Sequence, residues 1–344
     1  MSDSQDENAS LEEIRQLLPE LPGPDMDAGT AALQHQTQLT KPAGSLGRLE
    51  ELAVWLATWQ GRKRPSMDRP RVAVFAGNHG ITAHGVSAYP ASVTEQMVQN
   101  FINGGAAVNQ LAGNVGADLR VYEMALDQPT GDFTQGPAMN EEDCALALSY
   151  GMMSVEEGFD VMAVGEMGIG NTTSAAALCC ALFGGEASDW VGSGTGVDEA
   201  GLVRKAETVA AGLAANQTEM TDPFEILRCL GGLELAAIAG AILACRMGRI
   251  PVVLDGFACT AAAAVLHAAD SRALDHCIVG HQSVEPGHAR LLEVLGKTPL
   301  MNLGMRLGEG SGATLGIQIL QSAVACHIGM ATFEEAGVSG PVEE

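Results

Sequence analysis

The chain has 344 residues, of which 42 are acidic and 18 basic, and its formal net charge is −24. Such a surplus of negative charge repels phosphate backbones, so the composition argues against nucleic-acid binding and favours a solubilising surface. The length suffices for one large domain, alone or with a smaller one, around a core that needs no disulfides.

Targeting and membrane signals are not expected in this sequence. The first residues, 1–13, are acidic and polar and resemble no signal peptide. The longest strongly apolar helical stretch, 235–245, is shorter than the roughly 20 residues that a membrane-spanning helix requires. The eight cysteines form no Cys-x-x-Cys pair and fit core packing in a reducing compartment. We therefore expect a cytoplasmic protein.

Residues 1–65 are predicted to be helical. Leu11, Ile14 and Leu18 recur at helical spacing, and a second apolar-periodic stretch follows at 46–59. After Pro70, short β-branched runs alternate with alanine-rich helical stretches. This alternation is typical of an α/β fold in which helices cover both faces of a parallel, Rossmann-like sheet.

Six candidate strands end in glycine or polar clusters. They are 72–75, 119–124, 161–164, 190–191, 251–254 and 277–279. Ligands bind outside the carboxyl ends of the strands in open α/β sheets, so the following loops should surround one crevice. Those loops are 77–80, 165–171, 192–196, 255–256 and 280–283, with a further one at 308–312 before an apolar helix.

The segment 165–173, Gly-Glu-Met-Gly-Ile-Gly-Asn-Thr-Thr, follows a strand and begins an alanine-rich helix. Its glycines let the backbone approach a ligand, and the helix N-terminus directs N–H groups at an anion. A phosphate site is the functional interpretation. The alternative is a tight strand-to-helix turn in which Thr172 or Thr173 caps the helix.

Glu309 lies within Gly308-Glu-Gly-Ser-Gly312, directly before a helix. A carboxylate in this position tends to stay ionised and can accept a proton, whereas the alternative is a solvated loop glutamate with a capping role. The eight histidines show no metal-binding spacing, so no metal site and no cofactor are predicted.

Taken together, these segments resemble the nicotinate-nucleotide:dimethylbenzimidazole phosphoribosyltransferase family, which makes the lower-ligand nucleotide of cobalamin. The likeness covers nearly the whole chain in the expected order. The matching segments are 41–50, 75–80, 85–94, 165–173, 253–257 and 305–313.

The resemblance implies that the ribose C1′ of nicotinate mononucleotide loses nicotinate and is attacked by a nitrogen of 5,6-dimethylbenzimidazole, with inversion. Glu309 matches the family's proposed general base, and Glu166 matches a second carboxylate of the site. The residues that match the phosphoribosyl pocket are Gly168, Gly170, Asn171, Thr172, Lys205, Asp255 and Ser283. Those expected at the benzimidazole are Tyr89, Met97, Met167 and Leu307, although ordinary core packing equally explains the two methionines.

The family also implies a homodimer whose protomer combines a large α/β domain with a small helical domain built from both termini. We accordingly predict an N-terminal helical part at 1–65, the large domain at 66–312 and a C-terminal helical segment at 313–344. Two departures affect the acceptor side: Asn78 replaces an aspartate of the family pattern, and Tyr89 replaces a serine.

Other functions stay open at this point. A related N-glycosyl transferase would use another acceptor, such as adenine or a phenol, and a hydrolase would use water. A nucleotide-binding regulatory protein could keep the fold without turnover, although such a protein has no need of a base at position 309.

Overall fold

The computed structural model describes residues 9–340, and within that range five strands form one wholly parallel sheet. The strands are β1 (Pro70–Gly77), β2 (Asp118–Met124), β3 (Val161–Met167), β4 (Val252–Leu254) and β5 (Cys277–Val279). Their order is β2-β1-β3-β4-β5, so the chain reverses direction across the sheet between β1 and β3. The predicted α/β class is confirmed, as are five of the six predicted strands.

Helices connect the strands and cover the sheet. They are α1 (Leu11–Leu17), α2 (Met26–Gln36), α3 (Arg48–Gln60), α4 (Val93–Ile102), α5 (Ala107–Val115), α6 (Glu141–Met153), α7 (Asn171–Phe183), α8 (Glu199–Ala215), α9 (Pro223–Leu230), α10 (Leu233–Met247), α11 (Phe257–Ala269), α12 (Pro286–Val294), α13 (Ser311–Gly329) and α14 (Phe333–Ala336). The helical prediction for 1–65 is confirmed by α1, α2 and α3, except that residues 1–8 lie outside the described range.

Alternate residues of each strand face two separate core layers. In β1, Phe75 packs into the layer formed with α6, α7, α10 and α11, whereas Val74 packs into the layer formed with α3, α4, α5 and α13. All eight residues of β1 are buried. Burial on both faces fits the largely apolar sequences of β1, β3, β4 and β5, whereas the edge strand β2 carries polar residues and is partly exposed. In the buried strands, the strand ends are the place where polar groups can gather.

The predicted strand at 190–191 is wrong. Trp190 follows a 3-10 helix (Ala187–Asp189), its side chain is fully buried, and its indole Nε1 donates to the carbonyl of Gly184 over 2.9 Å. Residues 190–191 belong to none of the five strands of the sheet. The apolar residues of this segment pack into the core from a loop.

The N-terminal and C-terminal helical segments contact each other. Gln36 Nε2 lies 2.8 Å from Nδ1 of His327, which is on α13, and Leu39 forms an isolated antiparallel bridge with Thr332. These contacts agree with a small domain built from both termini. The division of the chain at residues 65 and 312 stays a prediction.

Candidate active site

A cavity of about 630 Å³ lies at the carboxyl ends of the strands, next to the reversal between β1 and β3. Open α/β sheets bind ligands at such reversals. The residues that line the cavity come from loops far apart in the chain. They are Tyr89, Val93, Met97, Glu166, Met167, Gly168, Ile169, Asn171, Thr172, Gly194, Thr195, Gly256, Phe257, Ala258, His281, Ser283, Glu285, Arg306, Leu307, Gly308 and Glu309.

Glu309 sits in the loop before α13 with a backbone φ of +62°, a conformation uncommon for any residue other than glycine. The buried carboxylate of Asp255 holds this loop: Oδ2 accepts from the N–H of Gly310 at 3.0 Å, and Oδ1 accepts from the N–H of Ala313 at 2.8 Å. The strained backbone is therefore fixed by two hydrogen bonds to one side chain. Strain of this kind persists only where the surroundings enforce it, and it is concentrated at functional sites.

The Glu309 side chain is buried, and burial raises its pKa from 4.5 to about 7, with a further contribution from the negative charge of Asp255. A carboxyl group with this pKa exchanges its proton near neutral pH. General bases work best when their pKa lies near the operating pH, so Glu309 has the electrostatics of a base as well as the position.

Glu166, at the carboxyl end of β3, is the second carboxylate of the cavity. Its Oε2 accepts a hydrogen bond of 2.6 Å from the side-chain amide of Asn171. A Cβ added to Gly308 would collide with its Oε1, which places Glu166 directly against the Glu309 loop. Burial raises the pKa of Glu166 well above its usual range; the Asn171 hydrogen bond opposes this shift, and neighbouring carboxylates add to it.

The turn between β3 and α7 lines the cavity at the N-terminus of the helix. Gly170 adopts a φ of +95°, and α7 begins at the next residue. Behind this turn the buried Nζ of Lys205 donates to Thr172 Oγ1 and to the carbonyl of Gly192, both over 2.9 Å. Burial lowers the pKa of Lys205 to about 8, although Glu285 opposes that shift. Helix N–H groups backed by an ammonium form a site for an anion.

The glycine-rich loop at 192–196 completes this wall. Glu285 Oε1 accepts from the N–H of Gly194 at 2.8 Å, and Arg306 Nη1 donates to the carbonyl of the same residue at 3.0 Å. Ser283 lies beside them, and its hydroxyl accepts from the N–H of Glu285. We name the wall formed by loops 168–172, 192–196 and 308–312 the polar side of the cavity.

The four predicted acceptor residues also line the cavity. Tyr89 and Leu307 are each 54% exposed, Met167 is buried, and Met97 is half-buried. Flat apolar surfaces of this kind can hold an aromatic ring. We name Tyr89 and Leu307, the exposed pair, the apolar lip.

Ten of the thirteen predicted site residues line the cavity, and Gly170, Lys205 and Asp255 do not. Lys205 and Asp255 lie behind the lining because their charged atoms are already used to hold Thr172 and the Glu309 loop. The structure therefore places them as supports of the wall.

Sequence reasoning missed three charged or titratable residues of the lining: His281, Glu285 and Arg306. Both ring nitrogens of His281 lack a hydrogen-bond partner within the described residues, and Nε2 lies 3.6 Å from Asp255 Oδ1. Arg306 stands three residues before Glu309, and a cation beside that loop in so acidic a chain was a usable signal.

A second cavity, of about 790 Å³, lies against α6 and the loop after β2, and none of the described residues that line it belongs to the predicted set. Among residues 9–340, no group of three or more His, Cys, Asp or Glu side chains could hold a metal ion. No helix in the same part of the chain has both the length and the apolarity to cross a membrane.

A family model described as "Phosphoribosyltransferase" matches residues 21–338. The nicotinate-nucleotide–dimethylbenzimidazole phosphoribosyltransferase of Agrobacterium fabrum is 58% identical over 328 residues, which are 95% of this chain and 95% of that protein. The chain belongs to the nicotinate-nucleotide:dimethylbenzimidazole phosphoribosyltransferase family. It is an enzyme of the glycosyltransferase type.

Two further relatives of this phosphoribosyltransferase family agree in sequence and in structure. The enzyme of the same name from Brucella canis is 55% identical over 329 residues, covering 96% of this chain and 97% of that protein. The crystal structure of CobT from Thermus thermophilus is 42% identical, covers 92% of this chain and 100% of that chain, and superposes with a TM-score of 0.85. The resemblance deduced from the sequence is confirmed.

Proposed function

We propose that the chain transfers the 5-phosphoribosyl group of nicotinate mononucleotide to 5,6-dimethylbenzimidazole, inverting C1′ and giving α-ribazole 5′-phosphate and nicotinate. This reaction would place it in the synthesis of the cobalamin lower ligand. The observation that carries the proposal is Glu309, a base with a pKa near 7 in a strained and fixed loop, on the edge of a cavity that offers an anion site and an apolar wall.

In the proposed step, one benzimidazole nitrogen forms a bond to C1′ as the bond from C1′ to the pyridinium nitrogen breaks. The bonding pair goes to the pyridine ring, so nicotinate leaves with a neutral nitrogen. The ionised carboxylate of Glu309 takes the proton from the second benzimidazole nitrogen, which leaves the product azole uncharged. A base positioned in this way contributes roughly 10²- to 10⁴-fold to the rate.

Glu166 is proposed to contact the ribose and to stabilise positive charge that develops at C1′. Burial raises its pKa well above the usual range and so favours the neutral carboxyl group in the free enzyme. A bound pyridinium cation favours the ionised carboxylate, so substrate binding would oppose the effect of burial. The Asn171 amide, 2.6 Å from Oε2, then fixes the carboxylate orientation.

The phosphate of the nucleotide is proposed to bind at the N-terminus of α7 and at loop 192–196. Thr172 and Ser283 would contact it directly, while Lys205 supplies positive charge from behind. Asp255 is proposed to act through the Glu309 loop. The benzimidazole would lie between Met97, Met167 and the apolar lip. The predicted homodimer also stays part of this proposal.

The test is turnover of nicotinate mononucleotide with 5,6-dimethylbenzimidazole by the wild type, Glu309→Gln and Glu309→Asp, following nicotinate release and the anomeric configuration of the riboside. We expect the α-riboside from the wild type and a loss of at least about 100-fold in kcat for Glu309→Gln, with nucleotide binding retained. Nicotinate release without riboside would indicate a hydrolase, and preference for adenine or a phenol a related transferase. Nucleotide binding without any turnover would indicate a regulatory protein.

A further inference from the structure

The walls of the cavity carry more acidic than basic side chains. The lining includes the carboxyl groups of Glu166, Glu285 and Glu309, and Arg306 is the one lysine or arginine among the described residues that line it. The proposed nucleotide carries two anionic groups of its own, the 5′-phosphate and the carboxylate of the nicotinate ring. Each anion that enters this cavity needs a nearby cation or a set of N–H donors.

Lys205 cannot serve as the direct contact in the observed arrangement. Its side chain is 1% exposed, and Nζ is already bonded to Thr172 Oγ1 and to the carbonyl of Gly192. It does not line the cavity. The charge of Lys205 therefore reaches a ligand only through the turn in front of it.

Arg306 has the free donors that Lys205 lacks. Arg306 is an exposed residue; one of its N–H groups donates to the carbonyl of Gly194 over 3.0 Å, and no ion pair within the described residues involves the rest of the guanidinium. The backbone nearby is fixed, because the N–H of Val284 donates to the carbonyl of Met305 over 3.1 Å. A guanidinium held at one corner can offer a two-pronged contact to a carboxylate or a phosphate.

We infer that Arg306 is a specificity-determining residue, binding one anionic group of the nucleotide with its free donors while it tethers loop 192–196. This inference rests on the proposed function for the identity of the ligand. The shared chemistry is a planar or tetrahedral oxyanion, and its two sources are the phosphate and the pyridine carboxylate. If the source is the carboxylate, Arg306 is the residue that distinguishes a nicotinate nucleotide from a nicotinamide nucleotide.

The experiment measures dissociation constants by calorimetry, without acceptor, for three ligands: nicotinate mononucleotide, nicotinamide mononucleotide, which lacks the carboxylate, and nicotinate riboside, which lacks the phosphate. The proteins are the wild type, Arg306→Gln, Arg306→Lys and a control, Arg249→Gln. Arg249 is exposed and precedes β4, so it lies at the end of the sheet opposite the cavity. Thermal unfolding of each variant verifies that it is folded.

We expect Arg306→Gln to weaken binding of nicotinate mononucleotide by about 10- to 100-fold, the usual value of a charge-assisted hydrogen bond. Arg306→Lys should lose less, and Arg249→Gln should bind like the wild type. A loss that disappears with nicotinamide mononucleotide assigns Arg306 to the carboxylate, and one that disappears with nicotinate riboside assigns it to the phosphate. A loss equal for all three ligands, or no loss beyond that of the control, overturns the inference.

The binding measurement is independent of turnover, so the two proposals fail separately. If the wild type forms the α-riboside but Arg306→Gln binds the nucleotide normally, only the role of Arg306 is refuted. If the wild type forms no riboside but Arg306→Gln still binds the nucleotide at least tenfold more weakly than the wild type does, the role of Arg306 stands and the transferase assignment does not.

Discussion

The polar side and the apolar lip of the cavity are built by different physical means. The polar side is held by Lys205, Asp255 and Glu285, three buried charged side chains whose atoms bond to the backbone or to a hydroxyl. The apolar lip, Tyr89 and Leu307, is 54% exposed at each residue and presents ring and methyl surface. The polar side is fixed by directional hydrogen bonds, whereas the apolar lip offers only apolar surface area.

This difference corresponds to the demands of the proposed reaction. Charge moves at the ribose, where donors and acceptors gain most from being in place beforehand, because they need no reorganisation as the reaction proceeds. The acceptor is a flat, mostly apolar ring, for which burial of surface supplies affinity without strict geometry. Substitutions on the polar side should therefore reduce catalysis and stability, whereas substitutions on the apolar lip should change acceptor affinity alone.

The largest effect is expected from Asp255→Ala. The substitution leaves the N–H groups of Gly310 and Ala313 without their buried acceptor, which costs about 2 to 6 kcal/mol of unfolding free energy for the pair. The strained loop should relax and displace Glu309, lowering kcat by at least about 100-fold. Urea unfolding and steady-state kinetics measure the two effects. Asp255→Asn, which keeps one acceptor oxygen, should have a stability and a kcat between those of the wild type and Asp255→Ala. An Asp255→Ala variant with wild-type kcat would show that the hydrogen bonds from Asp255 to the Glu309 loop are unnecessary for catalysis.

The pH dependence of kcat/KM tests the charges on the polar side. Glu309 acts as a base only when ionised, so the rate should fall about tenfold for each pH unit below its pKa of about 7. Lys205 binds an anion best when protonated, so the rate should also fall above its pKa of about 8. The profile of the wild type should therefore be bell-shaped. A flat acidic limb from pH 5 to 7 would contradict the role of Glu309.

The same ionisation should appear in stability. The folded pKa of Glu309 is raised above its unfolded value of 4.5, so its contribution is fully present below pH 4.5 and is lost as the pH rises through about 7. Relative to Glu309→Gln, the wild type should lose on the order of 3 kcal/mol of unfolding free energy across this interval. Urea unfolding of both proteins from pH 4.5 to 8 measures the difference in their unfolding free energies. The contributions of all other titrating groups cancel in this difference. A constant difference would place the Glu309 carboxyl in solvent.

Of the two substrates, Lys205→Met should affect the KM of the nucleotide alone. The methionine keeps most of the length of the side chain but removes the charge and the donors to Thr172 and Gly192. We expect KM for nicotinate mononucleotide to rise about 10- to 100-fold while KM for the acceptor stays within twofold. Lys63→Met is the matched control, because Lys63 is exposed in the loop after α3. Equal increases in both KM values would indicate a general disturbance of the cavity.

The sequence predicted the features that depend on neighbouring residues and missed those that depend on contacts between distant parts of the chain. The glycine-rich loops and Glu309 were recognised because each is a local pattern: a strand, a tight turn and a helix start within about ten residues. The role of Asp255 depends on its hydrogen bonds to Gly310 and Ala313, which lie 55 and 58 positions away in the chain, so no local pattern shows it. The strand predicted at 190–191 was wrong because a local pattern was ambiguous: apolar residues that fit a strand also fit a buried loop.

The smallest effect is expected from Tyr89→Ser, which restores the serine of the family pattern at the apolar lip. Tyr89 is 54% exposed, so unfolding free energy should change by less than about 0.5 kcal/mol. Loss of its ring surface should raise KM for 5,6-dimethylbenzimidazole by about 2- to 10-fold, with KM for the nucleotide unchanged. Ile102→Ser is the control, because Ile102 is 61% exposed on α4 and does not line the cavity. A larger increase in nucleotide KM than in acceptor KM would show that the lip serves both substrates and that the two sides are not separate in function.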